Sequence, residues 1–436
     1  MSAKRHISCV EHEIISNGFI DYKAYKELYA FSLTDAAKGI ISPGPNCLKL
    51  KSYVGIIQTA SGFVLEILPK IHNENNNVEE SRDTYLKMLK TIRYLPGYKD
   101  LDTAHLKTDS KMPLFELFIS MFINEVFTIV KKGIKSDYVA EEYNSTFLRG
   151  KLVVGGHIKQ NIAHKERFYI SHDNYIPDIP HNRILKSAIL YLQEKSIAVF
   201  FENKRRLREL SFIFDEVYVS RDYKQDYAQC KRNRTNSYYN KALAWALVFL
   251  GDNSFSTFSG STVACSLLFP MEKIFERYVY ELLAKNGELS IESKNSDKSD
   301  NNLLKKEVIL NSITELRYQK PQKYLLKETF TGKDRFLAKP DITCWCGDIF
   351  YIIDAKWKLL DQNSLDGKCG ISQADLYQLL SYAMVIPEDE CKDVQLVLVY
   401  PKHTGLNTMK NFSFNITGER NVNITIFPLA LPGCNE

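Results

Sequence analysis

Hydrophobic positions recur along the chain at two spacings, which separate strand-rich stretches from helical ones. Up to about residue 70 the pattern predicts strands: residues 47–53 alternate apolar and polar side chains, and residues 54–58 and 63–67 flank a Ser61-Gly62 turn. Farther on, apolar residues spaced by about 3.6 positions predict helices. The predicted helices cover residues 85–94, 113–131, 184–194, 204–214, 271–284 and 373–383, and a buried strand follows at 394–400.

The order of these elements predicts a multidomain α+β or α/β chain in three parts. Residues 1–145 form a β-rich part with helices, residues 146–262 a mixed α/β connecting part, and residues 263–436 a mixed central sheet with flanking helices. A chain of 436 residues is long enough for several domains, each with its own buried core.

Composition narrows the class of protein without naming a function. Hydrophobic residues make up 44% and charged residues 25%, which excludes wholesale disorder. The net charge of +5 permits nucleic-acid binding but does not require it. The nine cysteines form no CxxC pair, which favours free thiols in a reducing compartment. No signal peptide is recognisable, and Glu116 and Glu125 interrupt the most apolar segment, so we expect a cytoplasmic protein.

The candidate chemistry lies in residues 336–356. Gly347-Asp348 separates two strand-forming runs and predicts a two-residue hairpin turn. In that register Asp341 lies directly opposite Asp354, on the same face. Two facing carboxylates repel, and Mg²⁺ bridging them would relieve the repulsion. Lys356, two residues beyond Asp354, shares that face and can act on a water molecule or a phosphoryl oxygen.

An ion pair on a surface hairpin would also explain two aspartates and a lysine. Two observations favour the active site. The apolar run before Asp354 predicts a central strand that ends in a cleft, and the helix that follows places Gln378 and Tyr382 on one face, with Asp375 nearby. Asp375 can equally cap its helix or form a local pair, so it is not assigned to the site.

These residues resemble the PD-(D/E)xK nuclease core, with Pro340-Asp341, Asp354-Ala355-Lys356 and a trailing Gln378-x-x-x-Tyr382 motif. More specifically, the chain resembles the McrC family, the nuclease subunit of McrBC-type modification-dependent restriction systems. The resemblance is specific at residues 268–279, 353–357 and 375–383, and looser at residues 54–57, 66–70, 148–151 and 178–186.

The resemblance implies roles for individual residues. Asp341 and Asp354 would be the metal carboxylates, and Lys356 the catalytic lysine. Glu276 would complete the Mg²⁺ site from the first helix of the core, with Glu272 as a rival one turn earlier. Gln378 would position the attacking water or the DNA backbone. For Tyr382 a structural role is equally compatible with the sequence.

The resemblance also implies a partner. McrC-like chains dock through their N-terminal region on an AAA+ McrB-like GTPase ring that recognises DNA carrying modified cytosine. GTP would be bound by that ring, in agreement with the lack of a GxxxxGK[ST] motif in this sequence. The implied function is a Mg²⁺-dependent DNA endonuclease that also stimulates the partner's GTPase. An autonomous PD-(D/E)xK nuclease of repair or phage defence, and a non-catalytic docking subunit, are the alternatives.

Overall fold

A computed structural model describes residues 6–71, 77–92, 94–95, 98–102, 112–195, 201–230, 234–250, 263–293, 305–310, 312–321, 323–360, 370–385, 393–415 and 421–433. By internal packing the chain forms two units. The first comprises Met1–Pro113, Phe258–Val263 and Leu267–Glu436, and the second comprises Leu114–Thr257 and Ala264–Ser266. The three-part division of the sequence at residues 145 and 262 stays a prediction.

The N-terminal part of the first unit combines short strands with helices. Its elements are β1 (His6–Val10), β2 (Ile14–Ser16), α1 (Tyr22–Ser32), β3 (Ile41–Gly44), β4 (Cys47–Leu50), β5 (Tyr53–Thr59), β6 (Val64–Leu68), α2 (Val78–Ile92), β7 (Tyr94–Leu95) and β8 (Tyr98–Asp102). β5 and β6 form the predicted hairpin, with Gly55 opposite Ile67, and β1 joins β6 in parallel. β2, β4 and β3 form a second sheet.

Helix α1 corrects the expectation that residues up to about 70 are strands. The carboxylate of Asp21 accepts a hydrogen bond from the N–H of Lys23 and caps the helix. Ala24, Leu28 and Phe31 then bury one face in the core beneath the first sheet. The 3.6-residue spacing of these apolar side chains was a sufficient signal for the helix.

Helix α2 begins seven residues earlier than the predicted start at residue 85, and a buried ion pair holds its second turn. The guanidinium of Arg82 lies 2.6 Å from the carboxylate of Glu66, whose side chain is fully buried in β6. Burial alone would raise the pKa of Glu66, but hydrogen bonds from His6, Arg82 and Ser8 lower that pKa to about 2. Glu66 is therefore ionised and ties α2 to the sheet.

The second unit is mainly helical. Its elements are α3 (Leu114–Lys132), β9 (Asp137–Ser145), β10 (Lys151–Leu152), α4 (Val154–Gln160), β11 (Phe168–Ile176), α5 (Pro180–Lys195), α6 (Phe201–Ile213), α7 (Tyr223–Gln229) and α8 (Asn240–Phe249). α3 is buried within this unit, where Phe118 packs against Trp245 with ring centroids 5.6 Å apart. The side-chain amide of Asn203 donates to the carboxylate of Glu116 at 2.7 Å, which satisfies that buried acid. Among the described residues, no helix combines the length and the apolar character needed to span a bilayer.

The C-terminal part of the first unit is built on a six-stranded mixed sheet. Its elements are β12 (Val263–Pro270), α9 (Met271–Asn286), β13 (Leu289–Ser293), β14 (Lys305–Leu310), β15 (Ile313–Tyr318), β16 (Tyr324–Lys327), β17 (Asp334–Leu337), β18 (Ile342–Cys346), β19 (Ile349–Ala355), α10 (Gln373–Met384), β20 (Asp393–Pro401), β21 (Lys410–Asn415) and β22 (Asn421–Leu429). The strand order is β15-β18-β19-β20-β22-β21, with β19, β20 and β22 parallel.

Both helices of this part pack on the six-stranded sheet. Leu379 and Ala383 of α10 share a core with Ile352 and Leu396, and Phe275 of α9 contacts the ring of Trp357 at 5.3 Å between centroids. Strand β19 lies inside the sheet, as its run of apolar residues predicts. The predicted α+β architecture is confirmed.

Strand β12 leads into α9 but belongs to the N-terminal sheet, whose order is β1-β6-β5-β12. Gly55 has a φ of +131°, and a side chain there would have its Cβ 2.0 Å from the carbonyl oxygen of Leu267. Only glycine allows β5 to approach β12 this closely. The N–H of Met271 also donates to the carbonyl of Ser52 at 3.1 Å, which fixes the start of α9 against the N-terminal strands.

Candidate active site

Asp341 and Asp354 lie at the same end of two neighbouring antiparallel strands. In β18 and β19, Cys346 pairs with Ile349 and Ile342 with Ile353. Continuing this register by one residue places Asp341 opposite Asp354 on the same face. Between the strands, Gly347 has a φ of +58°, a left-handed conformation that suits a tight hairpin turn. The predicted turn and strand register are confirmed.

Both carboxylates are largely removed from water. Asp354 is 1% exposed, and Asp341 is only partly exposed. Burial, followed by the charges of Asp354 and Glu276, raises the pKa of Asp341 to about 8. Two buried carboxylates cannot both be ionised cheaply, so the pair requires compensating positive charge.

Lys356 supplies part of that charge. Its ammonium lies 2.7 Å from the carboxylate of Asp354, on the shared face that the strand alternation predicts. Burial lowers the pKa of Lys356, but the carboxylates of Asp354 and Asp341 outweigh burial and hold this pKa above its ordinary value. The side chain is therefore charged at neutral pH. Its backbone N–H donates to the carbonyl of Val399 at 2.9 Å, which fixes the end of β19 against β20.

A short hydrogen-bonded chain orients the lysine. The side-chain oxygen of Gln378 accepts from the Lys356 ammonium at 3.1 Å, and its amide nitrogen donates to the hydroxyl of Tyr382 at 2.9 Å. The i,i+4 spacing on α10 places both side chains on one face, as expected from the sequence. Gln378 thus contacts the Lys356 ammonium directly, whereas Tyr382 is linked to that ammonium only through Gln378.

Glu276 lies on α9 and faces the acid pair. It is 6% exposed, forms an ion pair with Lys273 at 2.7 Å, and accepts from the side chain of Gln319 at 2.9 Å. The backbone N–H of Gln319 in turn donates to the carbonyl of Asp341 at 2.7 Å. Glu272, the rival position one turn earlier, is exposed. Glu276 is therefore the acid of α9 that acts electrostatically on Asp341, although its assignment as a metal ligand stays a prediction.

Two neighbouring contacts distinguish structural residues from site residues. Asp375 forms an ion pair with Lys358 at 2.7 Å and accepts from the hydroxyl of Tyr400 at 3.4 Å. This local pairing accounts for Asp375 without a role in the site.

Sequence analysis missed Gln319, which touches two of the acids, because no motif surrounds it and its contacts depend on the folding of β15 beside β18.

The arrangement suits a cation with few protein ligands. Within the described residues, no group of three or more histidine, cysteine or acidic side chains lies close enough to hold a metal ion. Two facing carboxylates with available oxygens fit Mg²⁺, which binds through one or two carboxylates and keeps several waters. Asp341 and Asp354 are thus the residues that could hold it, with Lys356 as a neighbouring fixed positive charge.

Fold and site together define an α+β protein with a candidate cation site at the end of a central hairpin. Over residues 48–401, its sequence matches the family described as McrBC 5-methylcytosine restriction system component. Since the match covers most of the chain, the protein belongs to this family, which confirms the resemblance drawn from the motifs. Among curated proteins, no sequence matches significantly.

One solved structure shares the fold over nearly its whole length. One chain of the refined half-complex from the tetradecameric assembly of Thermococcus gammatolerans McrB AAA+ hexamers with bound McrC matches with a TM-score of 0.65 and 20% identity, over 98% of this chain and 95% of that chain. A chain of the Thermococcus gammatolerans McrBC complex matches with a TM-score of 0.49 and 23% identity, over 66% of this chain and 89% of that one. The first match shows that the two chains share a fold over nearly the whole length of each.

Proposed function

We propose that this chain is the Mg²⁺-dependent DNA endonuclease subunit of an McrBC-type restriction complex. The observation that carries the proposal is the buried pair of Asp341 and Asp354, with the Lys356 ammonium on the same face and oriented by Gln378. A PD-(D/E)xK nuclease fold accounts for this arrangement. The family membership supports a role in modification-dependent restriction.

Each residue of the candidate site would have its own role in phosphodiester hydrolysis. Asp341 and Asp354 would hold Mg²⁺, which would supply charge that stabilises the transition state and would lower the pKa of water. Water attacks phosphorus, the bond to the 3′ oxygen breaks, and that oxygen takes up a proton, leaving a 3′-hydroxyl and a 5′-phosphate. The Lys356 ammonium, which lies 2.7 Å from the Asp354 carboxylate, would donate hydrogen bonds to the phosphoryl oxygens.

The partner in this proposal is an AAA+ McrB-like GTPase ring. The fold is similar to a chain of an assembly whose name includes McrB AAA+ hexamers with bound McrC, and the sequence itself contains no GxxxxGK[ST] loop for a nucleotide. GTP hydrolysis and the recognition of methylated cytosine would therefore reside on the ring. This chain would stimulate the GTPase and cut the DNA, because a site that binds phosphates carries no base specificity of its own.

Separate measurements of cleavage and GTPase activity test the proposal. The complex is reconstituted with the ring partner and methylated DNA, using wild type, Asp354→Asn and Lys356→Ala. We expect both variants to lose Mg²⁺-dependent cleavage and to retain stimulation of the GTPase. Persistent cleavage would overturn the site assignment. Stimulation that is lost together with cleavage would indicate misfolding, which thermal unfolding of the isolated chain would reveal.

The same assay separates the alternatives. Strong cleavage of DNA by the chain with Mg²⁺ alone, without ring or GTP, would favour an autonomous nuclease. GTPase stimulation by a wild-type complex that cuts neither strand would favour a non-catalytic docking subunit. The subunit proposed here requires the ring, GTP and Mg²⁺ together.

A further inference from the structure

A two-stranded hairpin leaves the candidate active site and returns to it. We call residues 320–339 the arm; they contain β16 and β17, in which Tyr324 pairs with Leu337 and Lys327 with Asp334. The arm begins directly after Gln319 and ends just before Asp341, and the backbone N–H of Gln319 donates to the carbonyl of Asp341 at 2.7 Å. The base of the arm is therefore fixed between Gln319, which contacts Glu276 and Asp341, and Asp341 itself.

The arm has no core of its own. Almost all of its described residues are exposed, on both faces of the hairpin; Ala338 at its base is buried. The exposed apolar side chains are Tyr324 (50%), Leu325 (38%), Leu326 (60%), Phe330 (101%), Phe336 (71%) and Leu337 (41%). An isolated two-stranded hairpin is only marginally stable in water, and an exposed apolar cluster of this kind marks a binding surface.

The charge of the arm indicates the chemistry of its partner. Its sequence carries six basic and two acidic residues, a net charge of +4, whereas the full chain carries +5. Glu328 is paired with Arg335 at 3.0 Å. The exposed lysines are Lys320, Lys323, Lys327, Lys333 and Lys339. A surface this basic complements a polyanion.

Double-stranded DNA fits these observations better than a protein surface does. Lysine is depleted at the cores of protein interfaces but supplies many of the phosphate contacts in protein–DNA complexes. A two-stranded β-ribbon can lie in a groove of the duplex, and apolar side chains such as Phe330 at the tip of the arm can wedge between base steps from the minor groove. DNA binding would therefore account for both the lysines and the exposed apolar residues of the arm.

We infer that the arm binds double-stranded DNA beside the cleavage site, an inference that rests on the proposed nuclease function. Ten extended residues reach at most about 35 Å, so the arm can follow the duplex for roughly ten base pairs, at about 3.4 Å each, from the phosphate that is cut. It would hold the duplex against the acid pair independently of base sequence.

The salt dependence of DNA binding tests the inference. The full chain is used with the substitution Asp354→Asn, which prevents cutting, and binding to an unmodified labelled duplex is measured by fluorescence anisotropy at several salt concentrations. The arm variant carries Lys320→Gln, Lys327→Gln, Lys333→Gln and Lys339→Gln. Its matched control carries Lys23→Gln, Lys26→Gln, Lys38→Gln and Lys49→Gln, which are equally exposed lysines of the N-terminal part.

We expect the slope of log affinity against log salt to fall by about 3 to 4 in the arm variant, at about 0.9 for each lost phosphate contact, and to stay unchanged in the control. Phe330→Ala should weaken binding without changing the slope, because an apolar contact releases no counterions. An arm variant with the affinity and slope of the control would overturn the inference. So would a change in oligomeric state with DNA binding intact, since the arm would then bind a second copy of the chain.

The outcome is separable from that of the proposed function. A chain that binds DNA through the arm but never cuts it with the ring, GTP and Mg²⁺ would refute the nuclease proposal and leave the arm as a DNA contact. A chain that cuts DNA with unchanged efficiency and salt dependence after the four arm substitutions would refute the arm alone.

Discussion

The indole N–H of Trp357 donates a hydrogen bond to the carboxylate of Glu11 at 2.5 Å, although the two residues are 346 positions apart in the chain. Trp357 follows Lys356 directly, and Glu11 also accepts from the backbone N–H of Lys70 at 2.9 Å. The loop after β1 is thereby tied to the strand that presents the lysine. This hydrogen bond is one of the contacts that link the N-terminal sheet to the candidate active site.

Glu11 gives the protein a pH-dependent stability. Burial raises the pKa of Glu11 to about 7, against hydrogen bonds from Lys70 and Trp357 that lower it. Because this pKa is raised in the folded state, the contribution of Glu11 is fully present below about pH 4.5 and is lost as the pH rises through 7. The loss is at most about 3 kcal/mol.

Denaturant unfolding at several pH values checks this expectation. Wild type should lose stability between pH 4.5 and 7, and Glu11→Gln should lose less over the same range. Glu79→Gln, at an exposed position in the first turn of α2, is the control and should follow wild type. Parallel curves for wild type and Glu11→Gln would contradict the shifted pKa.

Mg²⁺ should stabilise the folded chain through the acid pair. A ligand at ten times its dissociation constant adds about 1.4 kcal/mol to the free energy of unfolding. We expect this gain in wild type and not in Asp354→Asn. Asp375→Asn should retain the gain, because Asp375 is a buried acid of the same unit that is paired with Lys358. Equal stabilisation of wild type and Asp354→Asn would place the cation elsewhere.

Removing Lys356 should destabilise the protein, because its loss leaves the buried carboxylate of Asp354 without the ammonium that lies 2.7 Å away. We expect Lys356→Met to cost about 3 kcal/mol in the absence of Mg²⁺. Adding Asp354→Asn should recover part of that loss, since one carboxylate is then neutral. A double-mutant cycle by urea denaturation measures the coupling. Additive effects of the two substitutions would show that the 2.7 Å ion pair contributes no net stability.

The hydroxyl of Tyr382 should act on catalysis only through Gln378. In Tyr382→Phe the amide of Gln378 loses its acceptor and the Lys356 ammonium is held less firmly, so cleavage by the reconstituted complex should fall roughly tenfold, the effect of about one hydrogen bond. Tyr377→Phe, an exposed position on the same helix, is the control. Unchanged cleavage in Tyr382→Phe would make that hydroxyl purely structural.

The candidate site was predictable where local rules determine it. A Gly-Asp pair between two strand-forming runs determines the turn, and the turn determines that Asp341 faces Asp354. The i,i+4 rule likewise places Gln378 and Tyr382 together. These steps depend only on neighbours in sequence, so they needed no knowledge of the fold.

The remaining features depend on contacts between distant segments. The hydrogen bond from Trp357 to Glu11, and the contacts of Gln319 with two acids, arise only when the sheets have formed. The ion pair between Arg82 of α2 and Glu66 on a neighbouring strand has the same cause. Helix α1 was different: its apolar spacing was visible in the sequence and was missed.

The close approach of Gly55 to Leu267 limits how the protein can be divided for study. A fragment that began after residue 113 would lack β5, the strand that pairs with β12. The edge of β12 would then have unpaired backbone groups, directly before the helix that carries Glu276. Such an edge invites pairing with other chains and aggregation. A fragment for study of the candidate active site should therefore keep the N-terminal strands that pair with β12.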